Sequence, residues 1–220
     1  MQSIIESGSA ATSSAGAAVA AIPDAALLHA DDLGGAEVTE VPAGVRTDLR
    51  PPIPCPGLVR YPGAPVTART VGGVFCRQDE PTVVLEQVAV YHGQDAARYT
   101  RALRNALTRC PAFHRCSHGT RWTVLDRGVA GDDSILVAQA RPAGGFVGEP
   151  IVQTSYLLVA RHGTVVMTLS DIGWETGDGH EAVIRVLMDV AFARLAEIPG
   201  TAGTAGRPPA GAALPRRPAV

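Results

Sequence analysis

The segment Gln94–Cys116 reads QDAARYTRALRNALTRCPAFHRC, and its pattern decides how the chain around it is interpreted. Its apolar residues recur at the spacing of one helix face, while most of its arginines fall elsewhere on the helical wheel. Pro111 ends the pattern, because a proline cannot donate the next backbone hydrogen bond of a helix. The spacing therefore predicts an amphipathic helix over Gln94–Cys110, with Cys110 at its end.

Strand-like segments lie on both sides of this helix, and several are joined by turns that contain glycine. The clearest strands are Pro81–Tyr91, Thr120–Asp126, Asp133–Arg141, Ile151–Arg161 and Thr164–Asp171. A second amphipathic helix is predicted over Gly179–Ile198. Neighbouring hairpins with two helices indicate an α+β fold. We expect a mostly antiparallel sheet of five to six strands, with the two main helices packed on one face.

Composition indicates one packed domain. The chain has 220 residues, of which 46% are hydrophobic, which is enough for a single core. Residues 1–22 are rich in Ser, Ala and Gly, so they are interpreted as a flexible linker, and residues 199–220 as a disordered Pro/Ala-rich tail. The domain is expected over residues 23–198. A net charge of −2, with no lysine, gives no general attraction to nucleic acid or to anionic membranes.

The cysteines suggest a location outside the cytosol. There are four of them, and no CxxC pair occurs. Two disulfides in an oxidising compartment are therefore expected to staple the domain, with three connectivities open. The N-terminal segment has no positively charged start and no long apolar core. We therefore expect a signal or anchor upstream of the given start. The cysteines are Cys55, Cys76, Cys110 and Cys116.

Several of these features together resemble the extracellular sensor domain of actinobacterial membrane serine/threonine kinases, the PknH-like sensor family, which also occurs in related lipoproteins. The matching features are LLHADDL at Leu27–Leu33, the loop cysteine Cys55, EQVAVYHGQDAARYTRAL at Glu86–Leu103, Cys110, and the hairpin LLVARHGTVVMTL at Leu157–Leu169. The resemblance covers most of the chain from Ala25 to Leu195.

The resemblance implies a function as well as a fold. It implies an extracytoplasmic, secreted or membrane-tethered sheet-and-helix domain of the cell envelope, with a cleft for an unidentified small ligand or envelope component. It also implies no enzymatic activity and no cofactor, and a membrane association only through a tether outside this chain. By the same resemblance Cys55 pairs with Cys110, which leaves Cys76 for Cys116.

Polar residues inside otherwise apolar strands are the candidate ligand-binding residues. If their side chains share the sheet face that the helices leave uncovered, they line a half-polar cleft. Trp122 and Trp174 would supply its apolar walls. The alternative is a solvated outer face with nothing bound. The candidate polar residues are Gln87, Gln139, Arg141, Gln153 and Ser155.

Two further function classes stay open. The segment from Cys110 to His118 contains two thiols and two imidazoles, which suggests a small zinc-dependent or hydrolytic enzyme centred on His114, Cys116 and His118. The spacing differs from the common zinc motifs, and no G-x-S-x-G nucleophile motif is present. The other class is a structural envelope protein that binds another protein through its sheet face.

Overall fold

The fold is described from a computed structural model of the 220-residue chain. The structure describes residues 21–42, 63–77, 80–109, 112–115, 118–143 and 151–199. The predicted linker, apart from its last two residues, and the predicted tail, apart from its first residue, lie outside these ranges. Three of the four cysteines, Cys55, Cys110 and Cys116, also lie outside them.

Eight strands and two α-helices make up the described fold. The strands are β1 (Val38–Glu40), β2 (Thr67–Arg77), β3 (Glu80–Val90), β4 (Ala112–Arg115), β5 (His118–Arg127), β6 (Asp133–Ala143), β7 (Ile151–His162) and β8 (Val165–Asp171). The helices are α1 (Asp95–Arg109) and α2 (Glu181–Arg194). Short 3-10 helices lie at Asp24–Ala26, Ala30–Leu33 and Leu195–Glu197.

All eight strands form one antiparallel sheet in the order β1-β2-β3-β8-β7-β6-β5-β4. The strand β3 lies inside the sheet, and β4 lies at its far edge. The chain between them includes α1, which contacts β5, β6 and β7. From β4 the chain then returns strand by strand to β8, beside β3. This connection explains why α1 packs across the sheet.

The two α-helices lie on opposite faces of the sheet, as consecutive residues of β7 show. Leu157 and Val159 belong to a buried cluster with α1. Leu158 and Ala160, whose side chains point the other way, belong to a larger cluster with α2. We call these surfaces the α1 face and the α2 face.

The α2 face carries a second cover besides α2. A segment before β1, residues 22–35, contains two short 3-10 helices and buries Ile22, Leu27, Leu28 and Leu33 in the cluster of α2. We call this segment the strap. The strap and α2, which together cover the α2 face, thus come from the two ends of the described chain.

Two parts of the predicted architecture are wrong. The sheet has eight strands rather than five or six, because β1 and β4 have only three and four residues, which is too short for an alternating pattern to predict a strand. The two helices do not share one face. The central strands are apolar on both sides, so each face needs its own cover.

The predicted disulfide stapling is also contradicted. Cys76, near the end of β2, is exposed and carries a free thiol, so it does not form the bridge to Cys116 that the resemblance implied. No disulfide occurs among the residues that the structure describes. Packing on two sheet faces, rather than sulfur, accounts for the described core.

Candidate functional site

Four of the predicted ligand-binding residues meet on adjacent strands. In the register of β6 and β7, Gln139 lies opposite Ser155 and Arg141 lies opposite Gln153. All four alternate in phase with Ile135, Val137 and Leu157, which pack against α1, so they lie on the α1 face. Gln139 and Arg141 are half-buried, whereas Gln153 and Ser155 are buried. We call these four residues the polar block.

Trp122 lies beside the polar block. On β5 it pairs with Gln139, and its ring is buried in the cluster of α1. The ring therefore lies between the apolar residues that pack beneath α1 and the polar block. This is the position of an apolar wall in a half-polar cleft.

Gln87 lies on the same face but apart from the polar block. On β3 it pairs with Thr70 on one side and Thr168 on the other, and it donates a hydrogen bond to Thr70 Oγ1 at 3.2 Å. The strand β8 separates it from β7. The structure thus brings four of the five predicted polar residues together and leaves Gln87 outside.

The amide nitrogen of Gln153 is engaged by a loop and is not available to a ligand. Its Nε2 lies 3.3 Å from the carbonyl oxygens of Ile172 and Glu175 and 2.8 Å from that of Gly177. Because an amide nitrogen carries two hydrogens, the three carbonyls share them. The Oε1 atom accepts a hydrogen bond from Arg141 at 3.4 Å. Gln153 therefore links the loop after β8 to the polar block.

Asp171 holds the same loop, residues 172–180, from the α2 face. Its buried carboxylate accepts hydrogen bonds from the N–H groups of Gly173 and His180, both at 3.0 Å, and from the hydroxyl of Thr82. Both ends of the loop are thereby fixed by one side chain. Gly173 has a φ of 75°, and a Cβ there would collide with the carbonyl oxygen of Gly177, so no larger residue fits.

The loop presents an exposed tryptophan at its tip. Trp174 is 40% exposed, and the next residue, Glu175, has a left-handed φ of 51° although it is not a glycine. Asp178 in turn accepts a hydrogen bond from the Thr154 N–H at 2.7 Å. The indole is therefore displayed from a loop whose backbone is fixed at several points. Trp174, predicted as an apolar wall of the cleft, lies on this loop.

Ser170 is a buried hydroxyl that the sequence analysis did not select as a ligand-binding residue. It lies on the α1 face between Leu85 and Leu157, and its Oγ has no hydrogen-bond partner among the described residues. A buried polar atom without a partner requires an explanation, such as a bound water or ligand. Its neighbour Asp171 points to the opposite face, as alternation in a strand requires.

Catalytic and metal chemistry find little support in the described residues. His180 Nδ1 lies 3.9 Å from Asp171, and the Thr82 hydroxyl donates to Asp171 rather than to the imidazole. This is not the nucleophile–base pairing that covalent catalysis needs. In the part of the chain that the structure describes, no group of His, Cys, Asp and Glu could hold a metal ion. The side chains of the Cys110–His118 segment lie outside that part, so the zinc hypothesis stays a prediction.

The comparisons with known proteins are sparse. No protein-family model matches the chain, and no curated protein matches its sequence. Among solved structures, the chain is similar to the crystal structure of the extracellular domain of PknH from Mycobacterium tuberculosis. The likeness has 12% sequence identity and a TM-score of 0.38, and it covers 76% of this chain and 93% of that one. At this TM-score the likeness carries no argument about function.

None of the helices in the described ranges has the length and apolar character needed to cross a bilayer.

Proposed function

We propose that this chain is a non-catalytic extracytoplasmic sensor or ligand-binding domain, and that the polar block binds a small polar ligand. The observation that carries the proposal is the register of β6 and β7, which sets Gln139, Arg141, Gln153 and Ser155 side by side next to Trp122. The half-buried pair Gln139 and Arg141 is the part of the block that solvent reaches.

The side chains of the block suggest the class of ligand. The Arg141 guanidinium offers several donors in a plane, which suits a carboxylate or phosphate. The Gln139 amide offers both a donor and an acceptor, which suits a hydroxyl or amide group. Gln153 is held by the loop, so its Oε1 keeps the guanidinium oriented. The expected ligand is therefore a small anion that also carries hydroxyl or amide groups.

A paired arginine experiment tests the proposal. The purified chain is screened by thermal shift against a panel of small carboxylates and phosphates, and each hit is measured by calorimetry. Arg141→Ala should weaken binding about tenfold to 100-fold, since it removes charge-assisted hydrogen bonds. The matched control is Arg121→Ala, because Arg121 is exposed on the α2 face. Equal binding by Arg141→Ala and the native chain would refute the assignment of the site.

The extracytoplasmic location belongs to the same proposal. It no longer has the support of disulfides, because Cys76 is free. Reaction of intact cells with a membrane-impermeant maleimide tests it, since exposed Cys76 should be labelled outside the membrane. Labelling of Cys76 only after cell lysis would place the domain inside.

A protein partner is the second candidate, and the exposed apolar residues at this end of the sheet favour it. Trp174 is displayed by the loop that Gln153 holds, and Val152, next to Gln153 in sequence, is 60% exposed. An exposed tryptophan on a fixed loop suits an interface, where such residues contribute much of the binding energy. A partner bound in this way should be lost in Trp174→Ala and kept in Arg141→Ala.

A further inference from the structure

Glu86 is a carboxyl group enclosed in the apolar core. It lies in the middle of β3 on the α2 face, in register with Val71 on one side and Leu169 on the other. Its exposed fraction is 0%. Neighbours in the same phase of β3, Val84 and Val88, are buried in the cluster of α2 and the strap. A carboxyl group in such a place is rare, because burial disfavours its charged form.

The strap provides the described hydrogen bond of this carboxyl. Glu86 Oε2 accepts a hydrogen bond from the Leu28 N–H at 2.7 Å, and Oε1 has no partner among the described residues. Burial raises the pKa of Glu86 to about 8, while the Leu28 hydrogen bond and the charge of Arg194 oppose the rise and Asp32 adds to it. The carboxyl is therefore mainly neutral in the closed structure at pH 7.

The charged groups around Glu86 come from the strap and from α2. Asp32 belongs to the strap and Arg194 to α2, and the two form an ion pair with an oxygen–nitrogen distance of 2.8 Å. From β2 and β8 the flanking residues are the apolar Val71 and Leu169. The strap also contains His29, whose Nε2 lies 3.0 Å from the carbonyl oxygen of Asp24.

The strap is held by fewer backbone bonds than the other elements around Glu86. It consists of 3-10 helices of three and four residues, whereas α2 has 14 residues. Its polar anchors are the Leu28–Glu86 bond, the Asp32–Arg194 pair and the bonds of Arg69 to Asp24 and to the Ile22 carbonyl. Short elements with few backbone bonds open locally before the rest of a domain.

We propose that the strap is a pH-sensitive latch, which the neutral Glu86 carboxyl keeps closed and which opens when that carboxyl loses its proton to water. An ionised Glu86 would leave a charged oxygen without a donor in the apolar core, which is strongly unfavourable. Lifting the strap admits water to that oxygen while α2 stays in place. The strap would thus be packed on the sheet at acid pH and released from it at alkaline pH.

The direction of the pH dependence follows from proton linkage. The carboxyl in the closed strap has its pKa raised to about 8, whereas a hydrated carboxyl in the open strap has the ordinary value of 4.5. The closed state therefore binds the proton more tightly, so opening becomes more favourable as the pH rises from 4.5 to 8 and changes no further above 8. The latch is tightest in acid.

Hydrogen exchange of the full chain tests this directly. Protection of strap amides is measured by mass spectrometry at pH 5 and pH 8, corrected for the intrinsic effect of pH, with the α1 segment as internal reference. The native strap should lose protection about 400-fold across this range, and more than α1 does. Glu86→Gln keeps an acceptor for the Leu28 N–H but cannot ionise, so its strap should keep one level of protection. His29→Gln is the matched control and should retain the native pH dependence.

Two further variants keep the test decisive if Glu86→Gln does not fold. Asp32→Asn and Arg194→Gln both remove the ion pair, but they change the charge near Glu86 in opposite senses. Asp32→Asn should lower the pKa of Glu86 in the closed strap, so that opening stops increasing at a lower pH. Arg194→Gln should raise that pKa, so that opening continues to increase at a more alkaline pH. The proposal is overturned if Glu86→Gln retains the native pH dependence, if the strap and α1 lose protection in parallel, or if the two charge variants shift the range in the same direction.

Discussion

The two faces of the sheet are covered in different ways. On the α2 face, α2 and the strap enclose a cluster of twenty described buried residues, and the carboxyl of Glu86 lies among them. On the α1 face, α1 packs with a described cluster of ten, and the polar block continues the same face along β6 and β7. The first face is enclosed, whereas the second leaves polar side chains within reach of solvent.

Under the proposed function, the two faces of the sheet separate folding from binding. A face whose apolar residues are completely enclosed contributes burial free energy, and polar groups there destabilise the fold unless they are paired. A face with less apolar cover can carry Gln139 and Arg141 half in solvent. Substitutions on the α2 face should therefore mainly affect stability, and those on the polar block mainly binding.

The strongest test of this contrast uses adjacent residues of β7. Leu158 is completely buried on the α2 face, and Leu157 is almost as buried on the α1 face. Leu158→Ala should lower the free energy of unfolding by about 4 kcal/mol and Leu157→Ala by about 3 kcal/mol, because the larger cluster can relax less around the cavity. Urea denaturation of both variants measures the values. A larger loss for Leu157→Ala would reverse the ranking of the two faces.

The long elements could be predicted from the sequence because their periodicity is strong. The helix predicted over Gln94–Cys110 corresponds to α1 at Asp95–Arg109, and the strand predicted over Pro81–Tyr91 corresponds to β3 at Glu80–Val90. The placement of the helices on opposite faces could not be predicted from their own patterns. A signal was available in β7, where Leu157–Ala160 is apolar at every position and so indicates burial on both sides.

The candidate site was predictable only in part. Alternation along β6 and β7 groups Gln139 with Arg141 and Gln153 with Ser155, but the register that joins the two pairs depends on the hairpin between the strands. The bonds of Gln153 to the loop after β8 span about twenty residues and leave no local pattern. The sequence does not distinguish Glu86 from its neighbour Gln87, because β3 is apolar on both sides and the alternation does not indicate which face is more deeply buried.

Gln153 allows a test of whether the polar block and the loop are one unit. Gln153→Ala removes the amide that three loop carbonyls share, and it should lower the free energy of unfolding by about 2 kcal/mol, since those carbonyls lose their buried donor. The loop should also become sensitive to limited proteolysis near Trp174. Gln139→Ala is the matched control and should leave the loop resistant. A resistant loop in Gln153→Ala would separate the loop from the polar block.

The smallest effect on stability is expected at Trp174. A small effect would indicate that the indole does not serve the fold. Its indole is substantially exposed, and the described loop bonds involve the backbone and other side chains, so Trp174→Ala should change the free energy of unfolding by less than about 0.5 kcal/mol. If the indole does not stabilise the fold, its exposure on a fixed loop is expected at a site where a partner or ligand binds. Thermal denaturation of Trp174→Ala measures the change in stability, and Trp174→Phe is the matched control. A loss near that of Leu157→Ala would show that the indole supports the α1 face, and the contrast between a stability face and a recognition face would then have to be redrawn without this loop.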